Sequence, residues 1–306
     1  MLIRSVQELP EIEGLPRIAR PDRILLVEPE FYDVEYVINP HMAAYLEGVD
    51  RLLARQQWLA LRRAYEQVFG RVEVLRGEPF LPDFVFSANQ ALPVPPGLLA
   101  EGPGAILSIM ASSRRQPEVR PFGAALEQRG LHLEELDPYV VRSFEGTGDG
   151  SWHPERALLL GGVGPRTTVP AYERISAWTG VPVVLLELTD PRFYHLDTCL
   201  SPIDSQCALY FPGAFTEEGV ALIEAVYPEA IAVQEAEACN MVCNGHCPDG
   251  QHFLVHPGSP SAFAALEQRG IEVVTLDTSE FLKSGGSVFC MKLQYWGADA
   301  RSVNLG

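Results

Sequence analysis

The heptapeptide AALEQRG stands at Ala124–Gly130 and again, letter for letter, at Ala264–Gly270. Each copy runs into an apolar-alternating stretch ending in Leu-Asp, Leu131 to Asp137 in the first and Ile271 to Asp277 in the second. An amphipathic run, a glycine and then alternation predict a helix, its C-cap and a strand. Three further segments keep this order without the letters: Trp58 to Leu75, Tyr172 to Leu188 and Gly219 to Gln234. Five helix-then-strand units emerge, and repetition on this scale is read before local structure.

What precedes each helix also recurs. A polar or glycine-rich segment leads into a short apolar strand: Gly104 to Ser108, Arg156 to Gly161, Cys207 to Pro212 and Gln251 to His256, with Arg23 to Glu28 ahead of the first helix. The unit is thus strand, turn, strand, helix, strand. At the head of each stands one chemically notable residue, Asn89, Glu145, His195, Asn240 and Cys290, separated by 56, 50, 45 and 50 residues. If Arg23 to Glu28 serves the last unit, the chain closes a ring and the five residues converge. The expected fold is α/β: a five-bladed, pseudo-fivefold α/β propeller of ββαβ modules around a central active site, one catalytic domain over 1–306. An open doubly wound sheet is the alternative. No G-x-G-x-x-G links a strand to a helix in its favour; Gly161, Gly162, Val163, Gly164 comes nearest and lacks the spacing.

Composition bounds the function. With 306 residues, 47% hydrophobic and 21% charged, the chain is long enough for a large core. No stretch approaches the roughly 20 apolar residues of a membrane helix. The N-terminus, with Arg4, Glu8, Glu11 and Glu13, lacks the order of a signal peptide. A cytoplasmic protein is expected, with its six cysteines reduced and thiol chemistry available. The formal charge of −17 repels phosphate backbones and suits a small cation, so neither nucleic acid nor membrane is expected as a partner. The sequence leaves a homo-oligomer open.

Cys290 follows the flexible run Ser284, Gly285, Gly286, Ser287, and His195 has a carboxylate, Asp197, two positions on. Alone, such a cysteine is ordinarily a buried, inert small hydrophobe and such a histidine a hydrogen-bonded core residue. In register with Glu145 they become the parts of nucleophilic catalysis. Cys239, Cys243 and Cys247, near His246, His252 and His256, resemble a metal cluster only at first sight. Asn244, Gly245, Pro248, Asp249 and Gly250 break the helix their spacing would need, and no C-x₂-C pair is present; no metal and no cofactor are expected. Asn240, sharing the module position of the other four, is expected to face the site or brace it. The aromatic and acidic segment Glu28 to Met42 suits a flap over the site.

In combination and order, seven motifs resemble the guanidine-modifying enzymes of the pentein fold: arginine deiminase, dimethylarginine dimethylaminohydrolase, the amidinotransferases and arginine dihydrolase. They are PEFYDVEYVINPHM (29–42), PDFVFSANQAL (82–92), FEGTGDG (144–150), FYHLDTCLSPID (193–204), ALYFPGAF (208–215), ACNMVCNG (238–245) and LKSGGSVFCMKL (282–293). The resemblance implies a catalytic set of Cys290, His195 and Glu145 and a small cationic guanidino substrate. Cys290 attacks the guanidinium carbon, His195 moves protons, and Glu145 grips the planar cation with paired hydrogen bonds. Asp197 orients His195 or holds substrate, and Gly286 lets substrate approach.

Departures from relatives bear on substrate. Arginine deiminases and dimethylarginine hydrolases resemble this chain but have Asp where VFSAN places Asn89; arginine dihydrolase has Asn there and in the segment corresponding to VINP, here Asn39. Asn can donate as well as accept, so it can hold the neutral ureido oxygen of citrulline for a second attack. Arginine dihydrolase chemistry, arginine to ornithine, ammonia and carbon dioxide, is therefore the expected activity. Hydrolysis stopping at citrulline, amidino transfer, and a non-catalytic protein of the same fold are the alternatives. Relatives also carry an arginine for the substrate carboxylate near Ser108; here Arg114 and Arg115 are the nearest substitutes.

Overall fold

Both copies of AALEQRG close a helix in the same way. The structure, a computed structural model, describes residues 1–99 and 102–298. The two helices run Gln116–Glu127 and Pro260–Gln268. Gly130 and Gly270 follow with φ of 82° and 80°, a left-handed conformation that glycine adopts without strain. Leu131 N then donates to Leu126 O at 3.2 Å, and Ile271 N to Leu266 O at 3.1 Å, tying each chain reversal back to its helix. Strands His132–Glu135 and Glu272–Thr275 come next.

Four modules have the expected order of an antiparallel pair, a helix and a parallel third strand. Ala91–Val94 pairs antiparallel with Gly104–Leu107, which pairs parallel with His132–Glu135. Gly150–Trp152, Leu159–Val163 and Val183–Glu187 repeat this around the helix Val169–Thr179, with Leu2–Ile3 added at the edge. Leu200–Pro202, Ala208–Tyr210 and Ile231–Ala232 repeat it around Glu217–Val226. In a further module, Lys292–Tyr295 pairs antiparallel with Arg23–Val27, which pairs parallel with Val72–Leu75. The remaining module is reduced. His252–Val255 pairs with Glu272–Thr275, and its antiparallel neighbour shrinks to a single bridge, His246 to Leu254, because Pro248, Asp249 and Gly250 turn the chain away. Among the described residues the five sheets are separate, and none closes on itself.

Two boundaries differ from the sequence expectation. The first helix starts seven residues before Trp58, at Arg51. Asp50 caps it, its Oδ1 accepting from Leu52 N and Leu53 N at 3.0 Å each, a contact worth about 1 kcal/mol. Ala54, Gln57, Trp58, Leu61, Ala64 and Tyr65 form its buried stripe. The strand expected at Arg156 to Gly161 is Leu159–Val163; Glu155 N and Arg156 N instead donate to His153 Nδ1 in the turn before it. Core side chains fill the space between sheets and helices, each fully buried Leu or Phe contributing about 1.5–3 kcal/mol. No helix among the described residues is long and apolar enough to cross a membrane. Four of the five polar module heads, Asn89, Glu145, His195 and Cys290, come close together from different modules.

Candidate active site

Cys290 sits in the turn Ser287–Met291 just before the strand Lys292–Tyr295, with its carbonyl accepting from Ala88 N at 3.1 Å. Its thiol is 3% exposed and donates to Asp197 Oδ2 at 3.2 Å. Asn244 Nδ2 donates to the sulfur at 3.1 Å and to Asp197 O at 2.9 Å. The other end of the same amide, Oδ1, accepts from Ser287 N at 2.8 Å. Asn244 thus fixes the nucleophile's loop, its sulfur and the Asp197 backbone together. Gly286 leaves no room for a side chain: a Cβ there would lie 2.7 Å from the Phe86 ring and 3.2 Å from Cys290 Cβ.

His195 and Glu145 form a second pair. Nε2 of His195 donates to Glu145 Oε2 at 2.7 Å, Ala111 N donates to Oε1 at 2.9 Å, and Arg166 Nη1 approaches Oε2 at 3.1 Å. Burial opposes ionisation of Glu145. The His195 hydrogen bond and the charges of His195, Arg166 and Arg115 outweigh it and hold the carboxyl at about 2. Asp149 braces the pair, taking Leu196 N at 3.1 Å and the Thr167 hydroxyl at 2.6 Å; burial pushes its own carboxyl up to about 6.

The Cys290 side behaves differently. Burial drives the thiol well above its ordinary range, and the Asp197 charge adds to that, against the pull of Asn244 and the Ser287 backbone. Asp197 is itself pushed up to about 7 by burial, opposed by the Cys290 thiol, Lys292 and Asn244. Both shifts favour a proton held between the thiol and the Asp197 carboxyl.

Asn89 and Asn39 both line the same small cavity as Cys290 and Gly286. Arg115 Nη1 donates to Asn89 Oδ1 at 2.8 Å. A guanidinium only donates, so the amide orientation is determined, and among the described residues the buried Nδ2 has no partner. Asn39 is spent on structure: Nδ2 donates to Ser284 O at 2.9 Å and Oδ1 accepts from His41 N at 3.0 Å. Ile38, Asn39 and Met42 are among the residues that line the cavity, which encloses about 10 Å³.

Two expectations are corrected. Asn240 is not in the site; its Nδ2 donates to Pro257 O at 2.8 Å. It ends the helix Glu235–Cys239, after which Met241 takes a left-handed conformation, φ 60°, and the chain turns Asn244 inward instead. Arg115 lines the cavity but is not a free anion receptor. Nε and Nη2 hold Glu118, Nη2 also reaches Asp83 O and Phe86 O, and Nη1 holds Asn89. It is a buried strut, and Glu118, raised by burial to about 7, is its counterpart.

Four residues that sequence reading passed over complete the site. Besides Asn244 and Asp149, these are Arg166 and Asp83, both lining the cavity. Arg166 Nη2 donates to Ile38 O at 2.8 Å and its guanidinium lies 4.9 Å over the Tyr194 ring; its Nε has no partner among the described residues. Asp83 is 1% exposed; among the described residues neither oxygen has a hydrogen bond of full geometry, the Tyr36 hydroxyl being the side chain near enough to act on it. Its carboxyl is raised by burial against the charge of Arg115. Asp83 and Asp149 stand in PDFVFSAN and FEGTGDG, so their motifs were visible although their roles were not. Among the described residues no group of three or more His, Cys, Asp or Glu side chains is placed for a metal.

No protein-family model matches the chain. It is 36% identical over 279 residues to the N(G),N(G)-dimethylarginine dimethylaminohydrolase of Mycobacterium tuberculosis, covering 91% of this chain and 87% of that protein. It is 34% identical over 274 residues to the bifunctional arginine dihydrolase/ornithine cyclodeaminase AgrE of Nostoc sp., covering 89% of this chain and 37% of that protein, so it spans well under half the length of that relative. Among solved structures, the N-terminal domain of ArgZ, a cyanobacterial arginine dihydrolase solved bound to substrate, superposes with a TM-score of 0.82 at 33% identity, covering 89% of this chain and 97% of that one. The fold is accordingly the pentein fold, an α/β arrangement of mixed sheets. By its motifs, its fold and these relatives, the chain belongs to the guanidine-modifying hydrolases that include the arginine dihydrolases and the dimethylarginine dimethylaminohydrolases.

Proposed function

We propose that the chain is a cysteine-dependent hydrolase of the guanidino group of arginine that hydrolyses two C–N bonds in turn, releasing two ammonia and leaving the carbamate of ornithine, whose last C–N bond breaks as carbon dioxide is lost, so that arginine and two waters give ornithine, two ammonia and carbon dioxide. The observation that carries the reading is the free Nδ2 of Asn89, whose orientation Arg115 enforces. In this role it donates to the ureido oxygen of citrulline after the first cleavage, keeping citrulline seated for a second attack. A carboxylate there has no proton to offer and favours release.

The remaining groups divide the work. Glu145 is a permanent anion for the guanidinium, and Asp197 Oδ1, buried without a partner, is a second acceptor. The arriving cation lowers the thiol's pKa, Cys290 attacks the guanidinium carbon as thiolate, and His195 protonates the departing amine. His195 then takes a proton from the water that opens the thiouronium. Arg166 Nε suits the substrate α-carboxylate and Asp83 its ammonium, which supports an amino acid as substrate. A space of about 10 Å³ holds no more than one water, so entry involves displacement of lining side chains, of which Ile38, Asn39 and Met42 stand in the segment expected as a flap. We also place the five modules in one catalytic domain, 1–306, arranged as a five-bladed propeller about this site, acting in the cytoplasm, where its cysteines, all free in the structure, stay reduced.

Amino-acid analysis of the purified protein given arginine tests the reading. Ornithine is expected, and Asn89→Asp is expected to shift the product toward citrulline. Citrulline accumulating without ornithine in the unaltered protein overturns the two-step proposal, and an unchanged product ratio in Asn89→Asp removes the role given to Asn89.

A further inference from the structure

The segment Phe289–Lys292 has a cavity on each side. Cys290 faces the site described above; Phe289 and Lys292 line a second space of about 120 Å³ that shares no lining residue with the first. Its walls are largely apolar, with Trp152, Trp296 and Ile203 among them, and its charged members are Lys292 and Arg20. No Asp or Glu lines it, although the chain has 40 acidic residues against 23 basic. An acid-free pocket is unexpected in so acidic a protein.

Lys292 gives the cavity its chemistry. It is 2% exposed, its Nζ lies 3.2 Å from the centroid of the Phe289 ring, and among the described residues no carboxylate lies within ion-pair distance of it. Burial pulls the amine down to about 7, against the charges of Asp197 and Cys290. A buried cation without a paired anion is costly, and buried charges are ordinarily paired or hydrogen-bonded. His246 beside it does not supply the anion: Tyr65 Oη meets Nδ1 at 2.9 Å, Gln294 Oε1 meets Nε2 at 3.0 Å, and burial disfavours its charged form. Apolar walls with one convergent charge are the usual make-up of a small-molecule site.

We propose that this cavity binds a small organic carboxylate, with its carboxylate on Lys292 and its apolar body against Trp152 and Trp296. The site lies behind the nucleophile and shares no lining residue with the substrate pocket, so its ligand is not the substrate. The two tryptophans give the readout. Titrating the full chain with benzoate is expected to produce a saturable change in tryptophan fluorescence, and benzamide, the neutral isostere, to produce none over the same range. Lys292→Met is expected to weaken benzoate by about 30-fold or more, as removing one member of a buried charge pair does. Ser151→Asp, which puts a carboxylate on the wall, is expected to weaken it by about 10-fold or more through like-charge repulsion, and serves if Lys292→Met does not fold. In Cys290→Ser protein, saturating arginine is expected to leave benzoate binding unchanged. No saturable response, an equal response to benzamide, insensitivity to the substitution that folds, or displacement by arginine each overturns the proposal.

Discussion

Glu145 and Asp197 are both buried carboxylates in one site, yet they are driven in opposite directions, to about 2 and to about 7. Burial acts alike on both. The difference lies in company: Glu145 has His195, Arg166 and Arg115, whereas Asp197 has a thiol, an amide and Lys292, itself pulled down to about 7. One half of the site is therefore a fixed anion suited to a cation, and the other half is a proton-sharing pair that a bound cation can open. The comparison teaches that residue type alone does not assign the roles; the surrounding charges do.

The largest expected effect breaks the pair at the nucleophile. Cys290→Ser should lower kcat by on the order of 10⁴-fold or more, since a member of a catalytic unit is removed; steady-state kinetics with arginine measures it. Glu145→Gln should lower kcat/KM by about 10²–10⁴-fold while changing iodoacetamide labelling of Cys290 little, because Glu145 is not among the main charges acting on the thiol. Asp197→Asn should do the reverse to the thiol: losing the negative charge that raises Cys290 should speed alkylation at a given pH even as turnover falls. Equal alkylation rates in the two variants would erase the distinction.

Stability sharpens the same contrast. Glu145 is lowered on folding, so it contributes stability above its unfolded value near 4.5 that is lost as pH falls toward 2. Asp197 is raised, so the folded state binds more protons between 3.8 and about 7, and stability falls as pH rises through that window. Relative to the unaltered protein, Asp197→Asn should gain on the order of 1–3 kcal/mol between pH 4 and pH 8 in denaturant unfolding, and Glu145→Gln should show no such gain. The smallest effect separates two neighbouring asparagines. Asn244→Ala should reduce kcat by about 10–100-fold through loosened positioning of the sulfur, whereas Asn240→Ala should leave kinetics unchanged.

These asparagines also mark how far the sequence could be read. Repetition located the modules, and the heads Glu145, His195 and Cys290 followed from spacing and motif, because a strand's start tolerates only small shifts of register. Asn240 was four residues off because the helix Glu235–Cys239 and the left-handed turn at Met241 intervene, and neither has a periodic signature. Arg166 and Asp83 were missed for another reason. A lone arginine in a Gly-Pro loop and an aspartate in an apolar run look like ordinary surface and turn residues until the chain brings them from different modules to one cavity. Arg115 lines the cavity, but its engagement by Glu118, Asn89 and the carbonyls of Asp83 and Phe86 is invisible to residue-type reasoning.

The central claim, that one site cleaves two C–N bonds in succession, is tested most directly with arginine carrying carbon-13 at the guanidino carbon. Followed by carbon NMR with the purified protein, the label should move to carbon dioxide and bicarbonate while unlabelled ornithine accumulates. Label retained in citrulline at the end of the reaction would contradict the account.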